Sequence, residues 1–154
     1  MRVEQIMSEM PYYCGPGDNL GTATSLMWKG SCGFLPVIND GRLAGVITDR
    51  DICIALGTRG VPAGEVKVGE VMSKNVVSCA PEDDVCVVLR LMREKEVHRL
   101  PVLQNGTLVG VVSIDDVLLR AAPRPGKEPE ITSAEMLQTV EAIDMQHVRR
   151  ISHN

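Results

Sequence analysis

The chain has 154 residues, a formal net charge of −4, and a composition that is 44% hydrophobic but only 3% aromatic. That length suits one compact module, and the acidic balance, without a long basic block or an aromatic platform, argues against nucleic acid as the main partner. No apolar run approaches the roughly 18 residues that span a bilayer, and Met1 to Met10 carries no hydrophobic signal core, so a cytoplasmic protein without membrane contact is expected.

The first predicted element is a short extended stretch, Tyr12–Cys14. Pro16 follows as punctuation, and Asp18 is placed to cap a helix of about ten residues carrying Leu20, Ala23, Leu26 and Met27. Phe34–Ile38 and Leu43–Thr48 flank Asn39-Asp40-Gly41 and read as a β-hairpin, because glycine tolerates the positive φ of a tight turn. A second helix starts directly after Thr48, with Ile52, Cys53, Ala55 and Leu56. Gly57 to Gly64 is rich in Gly and Pro and reads as a loop.

The series then recurs. Val76–Cys79 is extended, Pro81 and Asp83 stand before a helix carrying Val85, Val88, Leu89 and Met92, and Leu100–Leu103 and Leu108–Ser113 flank Asn105-Gly106. A helix with Val117, Leu118 and Ala121 follows. Residues 68–121 match 3–56 at a constant offset of 65, with sixteen of 54 positions identical. The fold class is therefore α/β (α+β): two β-α-β-β-α repeats, residues 1–60 and 61–122, followed by a tail, 123–154. A unit of about sixty residues is marginal alone, so the copies are expected to share a core and to form a cleft between them. In the tail, Pro123 to Pro129 reads as a linker. Thr132 to Ile151 reads as a helix opened by a Thr132/Glu135 capping box. Its irregular apolar face (Met136, Leu137, Val140, Ile143, Val148 and Ile151) has two readings, packing on its own module or contact with a partner.

Five cysteines (14, 32, 53, 79 and 86) include no C-x-x-C pair, which disfavours a disulfide framework, and Cys14 and Cys79 are equivalent positions that read as small buried residues. His98, His147 and His153 are not spaced with the cysteines as zinc ligands would be, so no metal site is expected. Acids at Asp49, Asp51, Asp115 and Asp116 could hold magnesium with a nucleotide. No nucleophile stands beside a base and no P-loop is present, so the chain reads as a non-enzyme with no catalytic residues.

The segment Gly45-Val46-Ile47-Thr48-Asp49-Arg50-Asp51 recurs as Gly110-Val111-Val112-Ser113-Ile114-Asp115-Asp116. Both copies end a strand, start a helix and place Thr or Ser three residues before Asp. One reading is a plain capping box. The other uses the same geometry for a ligand: free N–H groups and the positive helix end suit a phosphate, and the carboxylate one turn in can accept from ribose hydroxyls.

From about residue 2 to 122 the chain resembles a tandem pair of cystathionine-β-synthase (CBS) domains, a Bateman module. The resemblance is carried by Val3…Met7, Leu26-Met27, Leu35-Pro36-Val37, Gly41-x-Leu43-x-Gly45-Val46-Ile47-Thr48-x-x-Asp51 and their second copies. It implies two three-stranded sheets with flanking helices related by a pseudo-twofold axis, homodimers, and clefts that hold AMP, ADP or ATP, with S-adenosylmethionine or nicotinamide dinucleotides (NAD) as further candidates. Such members are regulatory sensors for another protein. Carried over residue by residue, a first cleft uses Val46, Thr48 and Asp51, with Val76 and Val77 beside the base and His98 and Arg99 facing phosphate. A second, weaker cleft uses Ser113 and Asp116 with Tyr12 and Tyr13. There Gly33 and Phe34 replace the basic pair and no cation is supplied. For the tyrosines and Phe34 simple packing is the competing reading, as a solvated surface is for His98 and Arg99. Arg50 is read as a surface or ion-pair residue. The alternative function is a ligand-free scaffold acting through the C-terminal helix.

Overall fold

The structure, a computed structural model, describes residues 1–121 and 131–151, without the side chains of 120, 121 and 146–151. The expected linker 123–129 lies outside the described residues, as do His153 and the side chains of His147, Val148 and Ile151.

Both repeats build the same elements. In the first, α1 (Leu20–Gly30) leads to a hairpin of β2 (Phe34–Asn39) and β3 (Arg42–Thr48), then α2 (Asp49–Arg59). In the second, α3 (Val85–Lys95) leads to β4 (Arg99–Gln104), β5 (Thr107–Ser113) and α4 (Ile114–Ala121). A two-residue strand, β1 (Ser8–Glu9), precedes them and α5 (Ser133–Ile151) follows. The hairpin turns put both central residues at positive φ, Asp40 and Gly41 at 49° and 75°, Asn105 and Gly106 at 51° and 81°. That is the turn whose twist matches paired strands.

The compact units are not collinear with the repeats. One comprises Met10–Val76 with Gln104–Val109; the other comprises Met1–Glu9, Val77–Leu103 and the described residues from Gly110 onward. Each repeat's opening segment serves the other repeat. In the first-repeat unit, Val68 N–H donates to Asp18 C=O (2.8 Å), Gly69 N–H to Pro16 C=O (3.0 Å), and Ser73 and Val46 exchange backbone bonds. The second-repeat unit repeats this at the same offset. Val3 N–H donates to Asp83 C=O (3.0 Å), Glu4 N–H to Pro81 C=O (2.9 Å), and β1 pairs antiparallel with β5, Ser8 opposite Val111. The shared glycines at 45 and 110 follow from this. A Cβ on Gly45 would lie 2.7 Å from Ser73 O, and one on Gly110 2.8 Å from Met7 Sδ.

Several local expectations shift by a residue or two. Asp18 and Asp83 do not cap helices. They accept from Gly15 N–H (2.7 Å) and Ala80 N–H (2.8 Å), bracing the preceding turn. The caps are the next residues, Asn19, accepting from Thr22 N–H, and Asp84, accepting from Cys86 N–H. Helix α2 runs through Gly57 to Arg59 before Gly60 ends it at φ +64°, so the loop starts later than composition suggests. One interior glycine costs a helix only about 1 kcal/mol, too little to end it. The extended stretches at Cys14 and Cys79 each make a single parallel bridge, to Val37 and Val102. Accordingly β1-β5-β4 is a three-stranded sheet, whereas the first repeat pairs β2 with β3 and adds only the isolated bridges Cys14–Val37 and Val46–Ser73.

The first-repeat unit buries Leu20, Ala23, Met27, Leu35, Val37, Ile47, Ile52, Ala55, Val66 and Val68 in one cluster. In the other unit Val85, Met92, Leu100, Val102, Val112 and Val117 are fully buried. Helix α5 packs on α3 of that unit. Thr132 and Glu135 close the expected capping box. Its inner stripe is Met136, Thr139 and Ile143 with Ile131 before it, while Leu137 stays exposed and Val140 half-buried. The apolar face expected from sequence is thus rotated. Thr139 can lie inside because its hydroxyl donates to Glu135 C=O (2.8 Å), a partner that an apolar pattern does not reveal. No helix among the described residues is long and apolar enough to cross a membrane.

Candidate ligand-binding site

Both strand-to-helix turns close as capping boxes with the same bonds. At the first, Asp51 Oδ2 accepts from Thr48 N–H (2.9 Å) and Thr48 Oγ1 (2.8 Å), while Asp51 N–H donates back to Thr48 Oγ1 (3.2 Å). At the second, Asp116 Oδ2 accepts from Ser113 N–H (2.8 Å) and Ser113 Oγ (2.6 Å), and Asp116 N–H donates to Ser113 Oγ (3.1 Å). Thr48, Asp51 and Asp116 are half-buried and Ser113 is buried. One carboxylate oxygen does all the capping, which leaves the other directed away from these bonds. Capping and ligand holding are therefore compatible uses of one side chain.

The remaining candidates divide between the units. Val46, Tyr12, Tyr13 and Val76 belong with Thr48 and Asp51; Val77, His98 and Arg99 belong with Ser113 and Asp116. Val46 sits on β3, bonded to Ser73, and Val46, Val76 and Val77 are half-buried. Tyr12 and Tyr13 are 47% and 58% exposed. The Tyr12 ring lies over Gly30 of α1, where an added Cβ would come 2.7 Å from Cδ2. Phe34 is buried.

Arg99 opens β4 and His98 precedes it, beside the Ser113 turn, with Ile114 N–H donating to His98 C=O (3.0 Å). Both have acidic neighbours that local sequence does not reveal. His98 Nε2 is 3.9 Å from Asp144 Oδ1 on α5, and an Arg99 guanidinium nitrogen is 3.9 Å from Asp115 Oδ2. All four side chains are substantially exposed, so these pairs are worth little as fixed bridges. The equivalent position in the first repeat is different in kind. Gly33 C=O accepts from Asp49 N–H (3.1 Å), and a Cβ at Gly33 would collide with the Asp49 carboxylate. Where the second repeat carries His98, the first carries Gly33 with the Asp49 carboxylate lying over it. Arg50 is exposed, as expected for a surface residue.

Three of the cysteines are pushed away from the reactive thiolate form. Burial, with the charge of Asp18 adding to it, pushes the Cys14 thiol up to about 11. Burial and then Asp83 push Cys79 up to about 12. Burial, with Asp84 and Glu135 adding, also raises Cys86. Among the described residues, no three or more His, Cys, Asp or Glu side chains stand together as a metal site would require.

The family model for the CBS domain matches residues 3–58 and 68–122. The chain belongs to the CBS domain family. Over 115 residues it is 33% identical to the CBS domain-containing protein YhcV of Bacillus subtilis, covering 75% of this chain and 81% of that one. Among solved structures it is similar to Hypoxic Response Protein I with two coordinated zinc ions, at 29% identity and a TM-score of 0.71, over 80% of this chain and all of that one. It also shares its fold with a CBS domain pair in complex with 5-methylthioadenosine and S-adenosyl-L-methionine, at 24% identity and a TM-score of 0.71, over 78% of this chain and 94% of that one. Both CBS domains here are complete in their hairpins and in their Thr/Ser-x-x-Asp turns.

Proposed function

We propose that this CBS pair is a regulatory, non-catalytic module that binds an adenosine-containing ligand, AMP, ADP or ATP in type, with S-adenosylmethionine and NAD as further candidates. It works as a cytoplasmic homodimer and passes the signal to a separate protein. Thr48 and Asp51 hold the ribose, Val46, Val76 and Val77 flank the base, and His98 and Arg99 meet the phosphates. The joining of these two sets on one ligand comes from the family resemblance. The observation that carries the reading is the doubled turn: two helix starts, each fixed by a carboxylate that keeps one oxygen clear of the capping bonds. The adenosine compounds held by a pair of the same fold support the ligand class.

The clefts are unequal in this reading. Arg99 supplies a planar fork suited to phosphate oxygens, whereas the Gly33 position brings Asp49, which repels them. A phosphorylated ligand thus prefers the first site, and Ser113, Asp116, Tyr12 and Tyr13 make a weaker one. Binding stabilises the fold by about 2.7 kcal/mol at a hundredfold excess over Kd. It regulates only if it favours one conformation over another.

Titration calorimetry of AMP, ADP, ATP, NAD and S-adenosylmethionine into the protein tests this directly. At least one is expected to bind, and phosphorylated ligands are expected to outrank adenosine. Silence across the panel, with the protein folded, contradicts the reading.

A further inference from the structure

Helix α5 packs on α3 within the second-repeat unit, and the two leave a cavity of about 430 Å³ between them. That is the size of a small-molecule site. Arg90 and Arg93 line it from α3, and Glu135, Gln138 and Thr139 line it from α5. The arginines are three residues apart on one helix, so they stand on the same face. The acid and the hydroxyl opposite them are already engaged. Thr139 Oγ1 donates to Glu135 C=O (2.8 Å), and Glu135 Oε2 accepts from Thr132 N–H and Thr132 Oγ1 (2.8 Å each). The backbone bond first, and then the hydroxyl, hold Glu135 below the ordinary carboxyl range, so it is charged at neutral pH. Among the described lining residues it is the one acid against two guanidinium groups.

The bases are not used up in the same way. Arg90 Nε donates back to Cys86 C=O at 3.4 Å, a weak bond that does not involve the two terminal nitrogens. Arg93 is half-buried and, among the described residues, has no carboxylate at ion-pair distance. A guanidinium drawn partly out of water without a counter-ion is a fork set for an oxyanion. The fold does not demand these charges: at the offset of 65 the two arginines correspond to Ser25 and Trp28. We infer that the cavity between α3 and α5 binds a small organic dianion, its two acid groups on Arg90 and Arg93 and its body against Leu89 and Ile131. A dicarboxylate and a phosphate monoester share this chemistry. The bound dianion spans the two helices, so occupancy tightens the docking of α5. The site uses none of the residues assigned to the adenosine ligand and stands independently of that reading.

Titration calorimetry of the full chain with succinate, with glycerol phosphate and with neutral succinamide is the test. At least one of the two dianions is expected to saturate the protein in the millimolar range or below, the tighter of them naming the acid group, and succinamide is expected not to bind. Arg90→Gln and Arg93→Gln should each weaken binding roughly tenfold or more. Arg93→Lys, which keeps the charge and loses the fork, should fall between wild type and Arg93→Gln. Arg42→Gln, an exposed arginine of the first repeat, is the control for net charge and should stay within about twofold of wild type. Far-ultraviolet circular dichroism checks that each variant is folded. Hydrogen exchange of the α5 amides should slow when the dianion is bound. Folded wild type that binds neither dianion would overturn the inference. So would losses at Arg90 and Arg93 no greater than at Arg42, or binding that leaves exchange in α5 unchanged.

Discussion

The first repeat leaves its α1–α2 groove open and holds the Asp49 carboxylate over Gly33; the second packs its α3 on α5 and presents a histidine and an arginine. Yet their capping boxes and crossed lead-in contacts recur at the same offset, and both hairpin turns take the same positive φ. The positions that agree are those whose contacts recur inside every unit: Gly45 and Gly110 under a backbone neighbour, Asp18 and Asp83 bracing a turn, Met27 and Met92 in the core. The positions that diverge are those facing outward from the units. The duplicated scaffold is shared, and the outward faces differ in residues and in cover.

The largest expected effect exploits that cover. Met92→Ala removes a fully buried side chain in the unit that α5 packs on, and should cost about 2–5 kcal/mol. Met27→Ala, which lines the open α1–α2 groove, should fall at or below the low end of that range, because solvent already reaches the site. Urea unfolding of both variants checks this, and equal losses would break the contrast between α3 under its cover and α1 beside the open groove.

Next come the crossed segments. Gly45→Ala and Gly110→Ala should each destabilise by about 1–3 kcal/mol, since each new methyl meets a neighbour at under 3.0 Å. Similar losses in thermal melts are expected because the contact is the same in both units. A silent Gly110→Ala would mean that residues 7 and 8 do not serve the second repeat. Thr48→Ala and Ser113→Ala each remove a helix cap and should cost about 1 kcal/mol apiece.

The smallest effect is a pH dependence. With folded values of about 11 and about 12 against an ordinary 9.0, Cys14 and Cys79 hold their protons longer in the native state than in the unfolded one. Their contribution is complete below pH 9 and declines as pH climbs toward 12. Substituting both with Ala should flatten the alkaline side of the stability profile. Alkylation at mildly alkaline pH should label exposed Cys53 well before Cys14 or Cys79.

Much of this was legible because the repeat doubled every signal. Apolar spacing located α1 and α3, Asp-Gly and Asn-Gly located both hairpins, and Thr or Ser three before Asp located both capping boxes. What was not legible depends on contacts distant in sequence. Nothing near Val3 says that it pairs with Asp83, and nothing near His98 announces Asp144, which arrives on a helix 46 residues later. The caps were misplaced by one residue because Asn19 follows Asp18 and Asp84 follows Asp83, and either neighbour can serve a helix start. Trp28 gave no signal of its own, since helical spacing reads an aromatic as core until a structure shows it bare.

We propose, from the family resemblance, that Asp51 and Arg99 serve one phosphorylated ligand. Titration calorimetry of ATP into wild type, Asp51→Ala, Arg99→Ala and Asp116→Ala tests it most directly. The account predicts roughly tenfold or greater loss of affinity, about 1.4 kcal/mol or more, for the first two variants and a clearly smaller loss for the third. Equal losses at Asp51 and Asp116, or an affinity that Asp51→Ala leaves unmoved, would contradict it.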